Sequence, residues 1–175
     1  KDKIILFCGR VHELKGVFIL SKVQKILQNE MNLVSLLVGQ NIHGDKCIEI
    51  GGNKIKLIGY IDQSEIVELY NLCDLFVFPS KYEIGPQVVL EAKSCGAIPI
   101  VHPSGGGKRV YENGVDGIII DTCDSKIWAN EIRKLFNNRR KFNYMKAKIL
   151  NEFKPHSWKE IFEKYFIQEW KEILK

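Results

Sequence analysis

The sequence contains no apolar run near the ~20 residues that a membrane-crossing helix needs, so a helical span is excluded. It lacks G-x-G-x-x-G, the dinucleotide-binding signature, and G-x-x-x-x-G-K-[ST], the P-loop signature, which removes both of those nucleotide-binding modes. Signatures of RNA- and DNA-binding modules are missing too. The formal charge of +5 is mild and diffuse, suited to an anionic ligand and not to nucleic acid. No C-x-x-C pair occurs. The five cysteines (Cys8, Cys47, Cys73, Cys95 and Cys123) are an odd, scattered set. They fit buried, reduced thiols in a cytosolic protein better than a disulfide framework or a zinc site.

What is present is the composition of a soluble globular domain, 45% hydrophobic and 27% charged. A length of 175 residues suits one domain, 1–175, with a substantial core. The chain opens without Met and almost directly in a strand, so it is expected to be part of a longer protein. Continuous apolar runs at 3–9, 33–39, 74–79 and 97–101 have the pattern of strands buried on both faces, and 54–60 and 116–121 add two more. Between and after them, helical spacing covers 16–30, 62–73, 87–95, 125–137, 139–151 and 157–174. Asp62 with Glu65 gives the third strand's helix a capping signature. The alternation predicts an α/β fold with a doubly wound, mostly parallel, Rossmann-like sheet. Such sheets bind ligands in the loops at the carboxyl ends of strands.

Three such loops carry chemistry. In "GRVHELKG" (9–16), Arg10 and Lys15 bracket a turn that leads into a helix N-terminus, where free amides attract anions. In "EIGPQVVLEA" (83–92), the amides of Gln87, Val88 and Val89 open a helix, Glu91 stands one turn in, and Glu83 precedes it in the loop. Spacing alone leaves two solvated acids as an equal reading of Glu83 and Glu91. In "HPSGGGKRVYENGVDG" (102–117), Gly105, Gly106 and Gly107 remove side chains where backbone must approach something closely. His12, His43 and His156 read as surface residues, whereas His102 beside the glycines is open to either a ligand or a structural role. Trp158, Phe162, Phe166 and Trp170 recur at helical spacing; core packing is expected for them, with part of the stripe left as interface.

Taken in order, "GR…KG", the strand ending in Pro-Ser, Glu-x(7)-Glu-Ala, "CGAIPIV" and the glycine loop resemble the C-terminal half of retaining GT-B glycosyltransferases. The type is that of glycosyltransferase group 1, family 4, with the glycogen synthases and mannosyltransferases. The resemblance covers nearly the whole chain. It implies a domain that binds a nucleotide-sugar donor such as UDP-glucose or GDP-mannose, and a separate N-terminal half that binds a sugar, polysaccharide or lipid-linked acceptor. It implies Arg10 and Lys15 at the diphosphate, with the amides of Gln87, Val88 and Val89. Glu91 falls to the ribose hydroxyls, and Glu83 to the donor sugar as the catalytic residue acting by position and charge. Gly85, Gly105 and Gly106 line the donor. A D-x-D pair is missing, so no metal or cofactor is expected and the cations take a metal's place. The location implied is the cytoplasm, with peripheral association of a full-length enzyme at the membrane's cytoplasmic face. Pro86 after Gly85 lacks an N–H, and Arg109 stands where the family commonly carries an acid. Those two departures motivate the alternatives: a degenerate module that binds without transfer, or a GT-B enzyme of another reaction class.

Overall fold

Ile5, Leu6 and Phe7 have no exposed surface, as a strand covered on both faces requires. The computed structural model describes residues 2–110 and 112–173 of the chain. Among these, six strands form one sheet: β1 (Lys3–Cys8), β2 (Leu33–Val38), β3 (Ile55–Gly59), β4 (Leu75–Phe78), β5 (Ile98–Val101) and β6 (Ile118–Ile119). Their order is β3-β2-β1-β4-β5-β6, and each neighbouring pair runs parallel. The chain works outward from β1 to β3, then returns to the other side of β1. The order therefore reverses between β1 and β4, and the crevice at their carboxyl ends is where such sheets hold ligands.

The helices are α1 (Val17–Leu27), α2 (Gly44–Gly51), α3 (Gln63–Leu72), α4 (Gln87–Ser94), α5 (Pro103–Gly106), α6 (Ser125–Asn137), α7 (Arg139–Glu152), α8 (Trp158–Ile161) and α9 (Ile167–Ile173). Val17, Leu20, Val23 and Leu27 make one buried face of α1, which packs against α2 and α6. Each such fully buried side chain contributes about 1.5–3 kcal/mol. A polar pair inside this layer fixes α1 on the sheet. Gln24 Nε2 donates to the Leu33 carbonyl at 3.0 Å, and Ser35 Oγ donates to Gln24 Oε1 at 2.6 Å, all three groups being buried. At the start of α3, Asp62 is the N-cap and its N–H donates to the Glu65 carboxylate at 3.4 Å.

Several expectations need correction. α2 is an additional element that the apolar spacing does not announce. Its first N–H donates to Asn41 Oδ1 at 2.7 Å, and the absence of a Cβ at Gly51 lets it lie against the Ser21 carbonyl. The glycine loop is not irregular, because Pro103 at the first position and His102 as N-cap start a helical turn there. β6 is two residues long, not six. Asp116 is drawn into a turn by accepting the Glu112 N–H at 2.9 Å, and the Asn113 side chain accepts the Ile119 N–H at 2.9 Å. The terminal helix is interrupted between α8 and α9 by a π-helical turn, Phe162–Phe166. Leu174, at the end of the expected helix, lies outside the described residues. Its aromatic stripe is not core. Trp158, Phe162, Phe166 and Trp170 are exposed, and Phe162 meets Phe166 and Trp170 at ring-centroid distances of 6.0 and 6.1 Å. The cysteines are not uniformly buried either: Cys123 is exposed.

Candidate functional site

The loop after β1 is shaped by two histidines. His12 caps a short 3-10 turn, Glu13–Lys15, its Nδ1 accepting the Leu14 N–H at 3.2 Å. His43, from the loop after β2, accepts the Glu13 N–H at 3.2 Å, and the two rings lie 4.6 Å apart. Both are half-buried and hold the loop, where surface positions are expected. The turn ends at Gly16, whose φ of 78° is left-handed and whose missing Cβ would lie 2.7 Å from the Pro79 carbonyl oxygen. Only glycine lets the loops after β1 and β4 meet this closely. The meeting places Lys15 beside Glu83.

Lys15 Nζ donates to Glu83 Oε1, the two side chains being 19% and 17% exposed. Ser80 Oγ lies 3.3 Å from the same carboxylate oxygen and 3.5 Å from the Leu14 carbonyl. Ser80 has no exposed surface, and its carbonyl is the reason for Gly105. A Cβ there would stand 1.6 Å from the Ser80 oxygen, so the loop after β5 touches that after β4 backbone to backbone. The close approach foreseen at the glycines is thus made to the protein itself at Gly105. Gly106 closes the same turn. At Gly85, a Cβ would come within 3.0 Å of Arg109 Nη2. Arg109 Nε is buried without a hydrogen-bond partner among the described residues.

α4 follows Pro86, its N-cap, and among the described residues no side chain caps it. The first-turn amides at Gln87, Val88 and Val89 therefore have no side-chain acceptor. The Val89 side chain itself belongs to the core, at 0% exposure, so only its backbone is available. Glu91 faces a cleft of about 710 Å³ lined also by Cys8, Gly9, Arg10, Gln40 and Tyr60. This cleft opens at the carboxyl ends of β1, β2 and β3. Arg10 and Glu91 thus share one space, whereas Lys15 and Glu83 lie outside its lining, in the seam between loops. α4 connects the two.

Beneath the cleft, Tyr70 of α3 is 1% exposed, and its hydroxyl donates to Glu91 Oε2 at 3.0 Å. Burial raises the pKa of the Cys8 thiol, more than the Tyr70 hydrogen bond lowers it. His102 is 7% exposed. Its Nδ1 lies 2.8 Å from Ser104 Oγ and accepts the Ser104 N–H at 3.3 Å, so this nitrogen serves as a cap. Burial pushes its pKa below the ordinary value, and Lys81 adds to this against a pull upward from Asp121. Spacing does not single out Ser80 or Tyr70. The available signal for Tyr70 is a phenol four residues after Ile66 on the buried face of a helix, since a buried hydroxyl needs a partner.

Known proteins share this fold. In Campylobacter jejuni, N,N'-diacetylbacillosaminyl-diphospho-undecaprenol alpha-1,3-N-acetylgalactosaminyltransferase is 31% identical over 141 residues, 80% of this chain and 37% of the relative. D-inositol 3-phosphate glycosyltransferase 1 of Catenulispora acidiphila is 25% identical over 172 residues, 90% of this chain and 41% of the relative. The chain thus spans about two fifths of the length of these relatives. The pneumococcal O-GlcNAc transferase GtfA, solved with UDP and GlcNAc, superposes with a TM-score of 0.78 at 21% identity, over 98% of this chain and 36% of that one. Its likeness bears on the fold: a Rossmann-like sheet of the GT-B architecture, as the resemblance implied. The family model for glycosyl transferases group 1 matches residues 1–151, and the chain belongs to that family.

Proposed function

We propose that this chain is the donor-binding half of a retaining hexosyltransferase, completed by an N-terminal half that binds the acceptor. The observation that carries this reading is the placement of Arg10 and Glu91 in one cleft, with α4, which no side chain caps among the described residues, running in sequence from the loop of the Lys15–Glu83 pair to Glu91. A nucleoside diphosphate laid along that path meets a carboxylate for its ribose diol, amides and two cations for its phosphates, and a second carboxylate at the sugar. The UDP and GlcNAc bound by GtfA and the diphospho-undecaprenol acceptor of the Campylobacter relative support a nucleotide-sugar donor and a saccharide or lipid-linked acceptor.

As the glycosyl bond breaks, negative charge grows on the departing diphosphate while the sugar becomes oxocarbenium-like. Donors fixed in advance at that charge typically contribute ~10²–10³ in rate each. Arg10, Lys15 and the α4 amides fill this role without calling on a metal ion or cofactor. Glu83 acts by position and charge on the sugar side, and the acceptor attacks from the face that the leaving group departs. The full-length protein would work in the cytoplasm, at the membrane face where its acceptor is lipid-linked. The chain alone would bind donor weakly and not turn it over, since closure of two halves excludes water.

Titration calorimetry with UDP-, GDP- and ADP-sugars tests the reading. One donor series should bind; Arg10→Ala should weaken it about 10- to 100-fold, the worth of a charge-assisted phosphate contact, and Lys15→Ala should weaken it by less, because Glu83 already holds that ammonium. Unchanged affinity in both variants would remove the assignment.

A further inference from the structure

The Tyr70 ring is held by packing before its hydroxyl is considered. It has 1% exposure, and Phe76 of β4 meets it edge-on with centroids 5.8 Å apart and planes at 67°. From this fixed ring the O–H reaches Glu91 Oε2 at 3.0 Å. Glu91 joins this buried hydroxyl to the cleft, which it lines with Arg10 and Gln40, and the Cys8 thiol beside the hydroxyl lines it too. A glutamate has three rotatable bonds, and an unanchored one would sample many directions in a space of about 710 Å³.

We propose that Tyr70 is a positioning residue for nucleotide recognition. Its phenol holds one Glu91 oxygen so that the carboxylate is set in place, its remaining acceptor sites turned to the hydroxyls of a ribose. The inference rests on the reading of Glu91 as the diol acceptor. Burial, then Cys8, then Glu91 push the phenol pKa far above its ordinary value, so the hydroxyl keeps its proton at neutral pH.

The test compares UDP, GDP and ADP with their 2′-deoxy forms and with inorganic pyrophosphate, on the 175-residue chain and on Tyr70→Phe. Phenylalanine keeps the ring and its packing against Phe76, and a thermal melt reports any loss of stability separately. The unaltered chain should prefer the ribose form of its nucleotide. In Tyr70→Phe that preference should fall about three- to tenfold, the worth of one hydrogen bond, with pyrophosphate affinity unchanged. On a Glu91→Gln background the same change should have no further effect on the preference. An intact preference in Tyr70→Phe, or equal losses for all ligands, would overturn the proposal while leaving the nucleotide site standing. Failure of the unaltered chain to bind any of the three nucleotides, or to distinguish ribose from deoxyribose, would remove the Glu91 reading and this inference with it.

Discussion

Two glycines two positions apart should respond oppositely to the same added methyl group. At Gly105 a Cβ would lie 1.6 Å from the Ser80 oxygen and 2.7 Å from its carbon, both backbone atoms. Restoring ordinary contact needs roughly 2 Å of relative movement between the loops after β4 and β5. Overpacking of this kind costs about 1–3 kcal/mol, and a rigid backbone neighbour puts Gly105→Ala at the upper end. At Gly107 the nearest atoms to a new Cβ stand at 3.6–3.8 Å, and the backbone is helical with φ of −57°. Alanine fits there, and by restricting the unfolded chain it stabilises by about 0.4–1 kcal/mol. For a chain of this size 1 kcal/mol shifts Tm by about 2–4 °C. Differential scanning calorimetry should therefore show Gly105→Ala melting roughly 6–12 °C lower and Gly107→Ala unchanged or slightly higher. Equal shifts in the two variants would refute the claim that Gly105 exists for backbone contact with Ser80.

Two further outcomes follow from buried polar groups. His102 has its pKa lowered on folding, so the unfolded chain takes up the proton more readily than the native one; stability should fall as pH drops through about 6.5 and level off below the folded pKa. Urea titrations at pH 7.5 and 5.5 should show this loss, and His102→Asn, which keeps a capping acceptor, should reduce it; an identical pH response in both chains would contradict the assignment. Gln24→Leu, although more apolar, should destabilise by about 1–3 kcal/mol because the Ser35 hydroxyl and Leu33 carbonyl lose their buried side-chain partner, and adding Ser35→Ala should recover part of it. Denaturant midpoints that rise in the single variant would show that the pair carries no such cost.

β1, β2, β4 and β5 are legible in the sequence because burial on both faces leaves unbroken apolar runs, as at Ile5–Phe7 and Leu75–Phe78. α2 is not, since Gly44, Gly51 and Gly52 argue against a helix locally. Contact with Ser21 and the Asn41 cap make it one. Arg10, Lys15, Glu83 and Glu91 can each be picked out as loop or helix-start residues. Their grouping cannot, because it depends on β1 and β4 being neighbours where the sheet order reverses. That is why Lys15 and Glu83, read separately as phosphate and sugar contacts, turn out to hold each other. The contact of Ser80, visible only as part of the Pro-Ser motif, and that of Tyr70 escape for a related reason: each is made with a partner distant in sequence, Leu14 for one and Glu91 for the other.

Were a phosphate to bind at Lys15 as proposed, the Lys15–Glu83 contact would make its capture an exchange reaction. The ammonium already has a carboxylate partner, so the phosphate would compete with Glu83 and not simply add a bond. The affinity for an anion there would be a difference between two ion pairs, smaller than either, and each capture would release a carboxylate at the moment a ligand arrives.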